Sequence, residues 1–288
     1  MKLLITGAGG QLGRSLRRLL DGREDAEAVF TDIGELDITK ADAVERMVEE
    51  KGIDSIINCA AYTAVDRAEG DKENAERLNA EAPGILARAI ERRGGRMVHI
   101  STDYVFGGTA CTPYRESDEP SPHSVYGRTK LKGERAVTEA NGEAVVVRTA
   151  WLYSAYGKNF VKTMLRLMAE KKEIGVVYDQ IGTPTYAPDL AEVCLRACSR
   201  DVEAGIYHYS NEGAVSWYDF AQAIARMAGL KECRIKPLRT EEYPTAAERP
   251  HYSVLDKAKA RRTMGLEPIY WEDSLRKCLK ELGEECRE

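Results

Sequence analysis

Tyr126 and Lys130 stand four residues apart in the stretch "SVYGRTKLKGE" (124–134). Residues at that spacing share one face of a helix. A phenol can give a proton to a developing alkoxide, and an ammonium beside it favours the phenolate left behind. Without help a tyrosine, with a pKa of about 10, is a weak acid near neutrality. The pair also recurs in helices where it only covers surface, so it needs a hydride source and a group to hold the substrate oxygen. Thr102 supplies such a hydroxyl at the end of the apolar run "RMVHIST" (96–102), 24 residues before Tyr126.

The hydride source is implied by "TGAGGQLG", which sets Gly7, Gly10 and Gly13 at G-x-x-G-x-x-G. The motif follows the strand candidate "KLLIT" (2–6) and opens the helical stretch "QLGRSLRRLL" (11–20). A strand feeding a helix through glycines lets the backbone approach a pyrophosphate, with free N–H groups and the positive helix end facing it. Asp32 ends the next strand candidate, 19 residues after Gly13. A carboxylate there accepts from ribose hydroxyls and repels a 2′-phosphate, which favours NADH. Arg14 directly follows the turn and could help a phosphorylated ribose, so NADPH is tolerated. Asp37 and Ile38 lie in "LDITK" before the next helix, where an adenine edge could rest. Ala60 and Ala61 are small enough for a flat ligand to lie against the chain.

These groups need a frame that brings strand ends together. Apolar strands at 28–32, 54–61, 96–102 and 144–150 alternate with amphipathic helices at 40–51, 71–93 and from about 126. That pattern predicts an α/β fold, a doubly wound parallel sheet covered on both faces. Residues 1–150 form the dinucleotide-binding domain and carry the Tyr/Lys pair. Residues 151–288 form mainly a smaller α/β substrate lobe, with some segments returning to the first domain. In that half "NFVKTMLRLMAEKK" (159–172), "APDLAEVCLRACSR" (187–200) and "SWYDFAQAIARMAG" (216–229) read as helices, the last with Ser216 and Asp219 in a capping box. "IGVVYD" (174–179) and "GIYHYS" (205–210) read as strands. Tyr207, Tyr209 and Trp217 are assigned to the small-lobe core.

Bulk numbers narrow the partners. With 288 residues, 31% charged and 43% hydrophobic, the chain is an ordinary globular composition with length for a substantial core. The net charge of -5 argues against general nucleic-acid binding. No apolar run reaches membrane-spanning length, and the first residues run into the glycine turn too soon for a signal peptide. Seven scattered cysteines argue for reduced thiols and a cytoplasmic protein. Cys194 and Cys198 are four apart and could ligate a metal, but two small buried side chains on one helix face are the simpler reading. No metal site is expected, and Mg2+ finds no support in the sequence.

The glycine turn, the strand-end threonine and Y-x-x-x-K together resemble the extended short-chain dehydrogenase/reductases, which have a Rossmann-type fold. Longer strings, "AAYTAVDRAE", "STDYVFGG", "SVYGRTKLKGE", "RTAWLYS", "NFVKTMLRL", "DQIGTPT" and "AERP", resemble more closely the dTDP-4-dehydrorhamnose reductase (dTDP-L-rhamnose synthase) family. The resemblance implies NAD(P)H-dependent reduction of the C4 ketone of a dTDP-4-dehydro-6-deoxy sugar, the last step of dTDP-L-rhamnose biosynthesis. It implies that Gly10, Gln11 and Leu12 meet the pyrophosphate and that Ala61, Tyr62 and Thr63 line the middle of the cofactor. Thr102 and Asp103 would contact the sugar, Tyr126 would be the acid, and Lys130 its partner and the holder of the nicotinamide ribose. Trp151 would lie over the sugar. Related dehydratases follow the threonine with two acids, whereas here Thr102 and Asp103 precede Tyr104. A nucleotide-sugar epimerase, or a non-catalytic regulatory subunit resembling that of methionine adenosyltransferase, are the competing readings. The sequence does not fix the oligomeric state, and a homodimer is one assembly open to it.

Arginine takes diphosphate oxygens bidentately, which nominates Arg249 in "AERPHYS", though an ordinary surface arginine fits as well. Asn159 could bind the substrate or cap the helix that follows it. Trp151, Tyr153 and Tyr156 could wall a sugar or thymine, or pack between lobes.

Overall fold

The computed structural model describes residues 1–285. Cys286 lies outside the described residues. Five strands, β1 (Lys2–Thr6), β2 (Glu27–Thr31), β3 (Ser55–Asn58), β4 (Arg96–Thr102) and β5 (Val145–Thr149), join a sixth, Gly205–His208, in one parallel sheet. The order is β2-β1-β3-β4-β5 and then Gly205–His208. The chain runs outward from β1 to β2, then returns to the other side of β1 with β3. The crevice at such a reversal, outside the carboxyl ends of the strands, is where open α/β sheets bind ligands.

The sheet is buried on both faces, and alternate residues of each strand choose between them. Leu3, Ile5, Ile57, Val98, Val145 and Val147 pack with Leu12 and Leu16 of the Gln11–Leu20 helix and with Leu190 and Cys194 of the Ala187–Ala197 helix. Leu4, Ile56, Met97 and Val146 pack on the other face with Val44, Val48, Leu86 and Val137. Continuous apolar strands such as "VVV" arise because both faces are dry. Cys194 and Cys198 lie in the first of these layers as two small side chains of one helix face.

The expected single helix over 71–93 is instead three segments, Lys72–Glu76, a π-helical turn Arg77–Glu81 and Ala82–Glu91. Pro83 has no N–H for the carbonyl four residues back, that of Asn79, and the turn widens there. Tyr207 and Tyr209 correct another expectation. They pack in the main core, because Gly205–His208 returns to the central sheet and pairs with β5.

A second core gathers Tyr153, Val161, Met164, Phe220, Ile224 and Trp271 from segments after residue 150. Glu173–Val177 and Arg234–Leu238 form a small parallel pair beside it, with Pro237 tolerated where few ladder bonds are needed. The predicted capping box is present: Ser216 Oγ accepts from Asp219 N at 3.0 Å, and Asp219 Oδ2 accepts from Ser216 N at 3.0 Å. Among the described residues no helix is long and apolar enough to cross a membrane.

Candidate active site

The glycine turn sits where β1 meets the crevice. Gly7 has φ +66, and a Cβ there would come within 2.7 Å of Ala60 N. A Cβ on Gly13 would come within 2.5 Å of Gly7 O and 2.6 Å of Ala8 Cα. The helix therefore starts as close to the strand as the backbone allows, and its free N–H end faces the crevice. Gly13→Ala forces that helix outward. Its expected effect is a dinucleotide affinity at least about tenfold weaker, together with a lower melting temperature, both measurable by thermal shift with and without NADH.

The other cofactor candidates divide between backbone and side-chain roles. Leu12 is buried in the core, so only its main chain is available to a pyrophosphate. Gln11 is committed to the second lobe: its Nε2 donates to Leu152 O at 3.2 Å, and its Oε1 accepts from Ser154 Oγ and Asn159 Nδ2 at 3.0 and 2.9 Å. Asp32 accepts the Gly9 N–H at 2.7 Å, which ties the end of β2 to the turn. Asp37 accepts from the Thr39 N–H and hydroxyl at 3.0 and 2.7 Å, and these bonds hold its carboxyl below the usual range. Ile38 is core.

A cleft of about 710 Å³ opens between Asp32 and the helix, lined by Ala8, Gly9, Phe30 and the guanidinium-bearing Arg14, Arg17 and Arg18. Arg14 lies over the Tyr156 ring at 4.1 Å and Arg17 over Phe30 at 4.0 Å. Only Arg14 was singled out from sequence. Arg17 and Arg18 carry no motif, and their approach to the cleft follows from the helix's rotation.

After β3 the chain runs through Ala60, Ala61, Tyr62 and Thr63. Tyr62 N donates to Asn79 Oδ1 at 2.8 Å, and Asn79 Nδ2 donates to Tyr62 O at 3.1 Å. Asn79, in the π-helical turn, thus braces the segment that edges the crevice. Sequence reading missed it, although a proline four residues on was the available signal.

Thr102 and Asp103 lie at the carboxyl end of β4, 5% and 1% exposed. Thr102 Oγ1 caps the short turn Asp103–Val105 by accepting from Tyr104 N, and donates to Asp103 Oδ1 at 3.0 Å. Asp103 Oδ2 is buried with no hydrogen-bond partner among the described residues. Burial pushes this carboxyl up to about 6, opposed by Ser253 and Thr102. Such an orphaned acceptor is expected to meet a ligand.

Tyr126 is in the first turn of the Val125–Ala140 helix, whose start is fixed by Ser124 Oγ accepting from Gly127 N at 3.1 Å. Tyr104 packs edge-on against its ring, centroids 5.6 Å apart. Burial pushes the phenol up to about 12, while a hydrogen bond with Thr102 works the other way. Tyr104 links the two residues, since its N–H donates to Thr102 Oγ1 at 3.2 Å and its ring packs on that of Tyr126. Lys130 is 2% exposed, and its Nζ donates to Ile100 O at 2.6 Å. Burial draws this amine down to about 8, with Glu134 and Cys59 acting the other way. Its nitrogen is held against β4 here, so the charge expected beside the phenol does not enter the balance at Tyr126.

In the second lobe the substrate candidates have protein partners. Arg249 pairs bidentately with Asp66, at 3.0 and 2.6 Å. Asn159 is the N-cap of the Phe160–Glu170 helix, accepting from Lys162 N at 3.1 Å while donating to Gln11 and Ser154. Trp151 adopts φ 48, unusual for a bulky residue, and stacks on Trp217 at 3.5 Å with 9° between the rings. Trp217 packs against the second core as expected, and it also backs the residue expected over the sugar. Tyr153 is packing, fully buried among Tyr186 and Phe220.

The glycine cradle, the Asp32 carboxylate beside it and the Asp103 oxygen without a partner among the described residues suit a dinucleotide beside a polar substrate. Comparisons with known proteins show which family the chain resembles. A family profile described as "RmlD substrate binding domain" matches residues 1–284. A dTDP-4-dehydrorhamnose reductase of Aggregatibacter actinomycetemcomitans is 41% identical, covering 96% of this chain and 97% of its own length. A probable dTDP-4,6-dihydroxy-2-methyloxan-3-one 4-ketoreductase of Streptomyces antibioticus is 44% identical, covering 98% and 96%. The crystal structure of dTDP-4-dehydrorhamnose reductase from Bacillus anthracis in complex with NADP superposes with a TM-score of 0.91 at 40% identity, covering 97% of this chain and 99% of that one.

Proposed function

This chain belongs to the RmlD substrate binding domain family, and from that premise we propose that it is the NAD(P)H-dependent oxidoreductase that reduces dTDP-4-dehydro-6-deoxy-L-mannose to dTDP-L-rhamnose. The observation that supports the reading is that Tyr104 joins Thr102 to Tyr126 at the carboxyl end of β4, donating its N–H to the Thr102 hydroxyl at 3.2 Å and packing its ring on the Tyr126 phenol.

The bound cofactor, held by the cradle, Asp32 and the Ala60–Thr63 segment, supplies a hydride to C4 of the sugar. Thr102 orients the C4 oxygen. Tyr126 gives that oxygen its phenolic proton as the C–H bond forms, so the ketone becomes a secondary alcohol. Lys130 holds the nicotinamide ribose, and its ammonium stabilises the phenolate once it turns from the Ile100 carbonyl, which it meets here at 2.6 Å, toward Tyr126. Asp103 accepts a sugar hydroxyl through its orphaned oxygen. Trp151, backed by Trp217, covers the sugar. Arg249 takes the diphosphate when that ligand outcompetes Asp66, since both present paired oxygens to the same fork.

Asp32 supports NADH, and the three guanidinium groups of the neighbouring cleft support a 2′-phosphate, so both cofactors serve. No disulfide is formed among the cysteines of the described residues, in keeping with a reducing cytoplasm.

Purified protein given NADH or NADPH and dTDP-4-dehydro-6-deoxy-L-mannose should lose the absorbance of the reduced nicotinamide and form one dTDP-L-rhamnose per cofactor oxidised. A new sugar epimer without net oxidation would make it an epimerase. Dinucleotide binding with no turnover would make it a regulatory subunit. The Streptomyces relative favours a second substrate, another dTDP-4-keto sugar, and a higher kcat/KM on such a sugar would move the assignment there.

A further inference from the structure

Behind the Tyr126–Lys130 pair lies a buried chain of polar side chains that the reaction above does not use. Asn58 ends β3 and His99 lies in β4, both fully buried. The polarity of each bond can be read from one end. The Ala60 main-chain N–H can only donate, and it lies 3.2 Å from Asn58 Oδ1. The Thr6 hydroxyl donates to the same oxygen at 2.6 Å. Asn58 therefore turns its NH2 to His99 Nδ1, 3.1 Å away, and that ring nitrogen accepts. Burial and Lys130 hold the imidazole neutral, its pKa well below the ordinary value. A neutral ring that accepts at Nδ1 carries its proton at Nε2. Nε2 lies 3.4 Å from Lys130 Nζ. An N–H at that place can donate to the lone pair of an amine, but it opposes an ammonium, which has no acceptor to offer.

We propose that His99, locked by Asn58 as the Nε2–H tautomer, is a positioning residue that weakens the ammonium form of Lys130 and so sets the pH at which Lys130 loses its charge. The proposal rests on the roles given above to Tyr126 and Lys130. The other groups facing Lys130 do not take this role. Tyr126 and Glu134 share its helix, and the Glu134 charge is answered by Arg148 at 2.7 Å. Cys59, at the end of β3, has a thiol that burial pushes far up, so it is uncharged. Ile100 presents only a carbonyl. The position of the His99 proton is the one contact that a tautomer change could reverse. An amine drawn close to neutrality can exchange its proton at working pH, which suits the partner of an acid that must be reprotonated each cycle.

The first test reads the tautomer directly. Imidazole 15N shifts of the labelled full-length protein, assigned by loss of signal in His99→Ser, should show a protonated Nε2 and a bare Nδ1. The opposite pattern overturns the proposal. This reading does not depend on turnover, so it stands apart from the assignment of Tyr126 as acid, which fails separately if Tyr126→Phe keeps its activity. The second test is the pH profile of kcat/KM. Asn58→Asp replaces the NH2 with an oxygen that must receive the proton from Nδ1, which turns Nε2 into an acceptor. The basic limb should move up by about one pH unit. Because that variant also adds a charge, His99→Ser must move the limb the same way, its hydroxyl and a water in the vacated space accepting from the ammonium. With folding checked by thermal melts, a limb unmoved in both variants, or moved in Asn58→Asp alone, overturns the proposal.

Discussion

Tyr126→Phe should lower kcat by about 10²- to 10⁴-fold, the usual contribution of a positioned general acid. Dinucleotide affinity should stay close to that of the parent enzyme. The phenyl ring keeps the edge-on packing with Tyr104 and the place in the first helical turn, so the loss isolates the hydroxyl. Single-turnover hydride transfer and NADH titration separate the two effects, and near-full turnover would remove Tyr126 from the reaction. The pH dependence follows from the same site. Reduction needs the phenol protonated, which holds up to about 12, so this group sets no limb in the neutral range. In the proposed reaction Lys130 is needed as its ammonium, which is present below about 8 and lost above it. Turnover should therefore fall as pH rises through about 8, and Tyr126 stays protonated while it does.

Arg148→Met should cost about 3–5 kcal/mol of stability in urea unfolding, the price of a buried charge left without its partner. Arg148 of β5 reaches Glu134 of the Val125–Ala140 helix through Nη2 to Oε2 at 2.7 Å and Nε to Oε1 at 2.9 Å, both side chains 2% exposed. Ser101 of β4 hydrogen-bonds the same carboxylate. Glu134 is one helical turn beyond Lys130, so the pair fastens the helix to two strands next to the reacting groups. Adding Glu134→Gln to Arg148→Met removes the unpaired charge and should recover most of the loss. A double variant no more stable than the single one would mean that Glu134 is not what Arg148 holds.

Local structure was readable from the sequence because it depends on neighbours along the chain. Continuous apolar runs and period-3.6 patterns placed the strands and helices of the first 150 residues, and the spacing of Gly7, Gly10 and Gly13 located the cradle between β1 and its helix. Ser216 and Asp219, three apart, marked a cap that forms as expected. The proline at 83 interrupts a pattern that reads as one helix, since an apolar stripe carries no sign of a missing N–H.

Other features depend on which distant residues the chain path brings together. Arg249 is a free phosphate ligand in one dimension and the partner of Asp66 in three. Tyr207 and Tyr209 read as lobe residues because they follow lobe segments, but their strand closes the edge of the central sheet, where β5 offers an unpaired ladder. Trp217 becomes the support of Trp151 only because the lobe folds back over the end of β5. The tautomer of His99 follows from a hydrogen bond made by Ala60, 39 residues away in sequence, through Asn58. Residue types and spacing determine which groups can accept, donate or ionise. The tertiary path decides which partner each one meets, and in a dry interior the partner determines the chemistry.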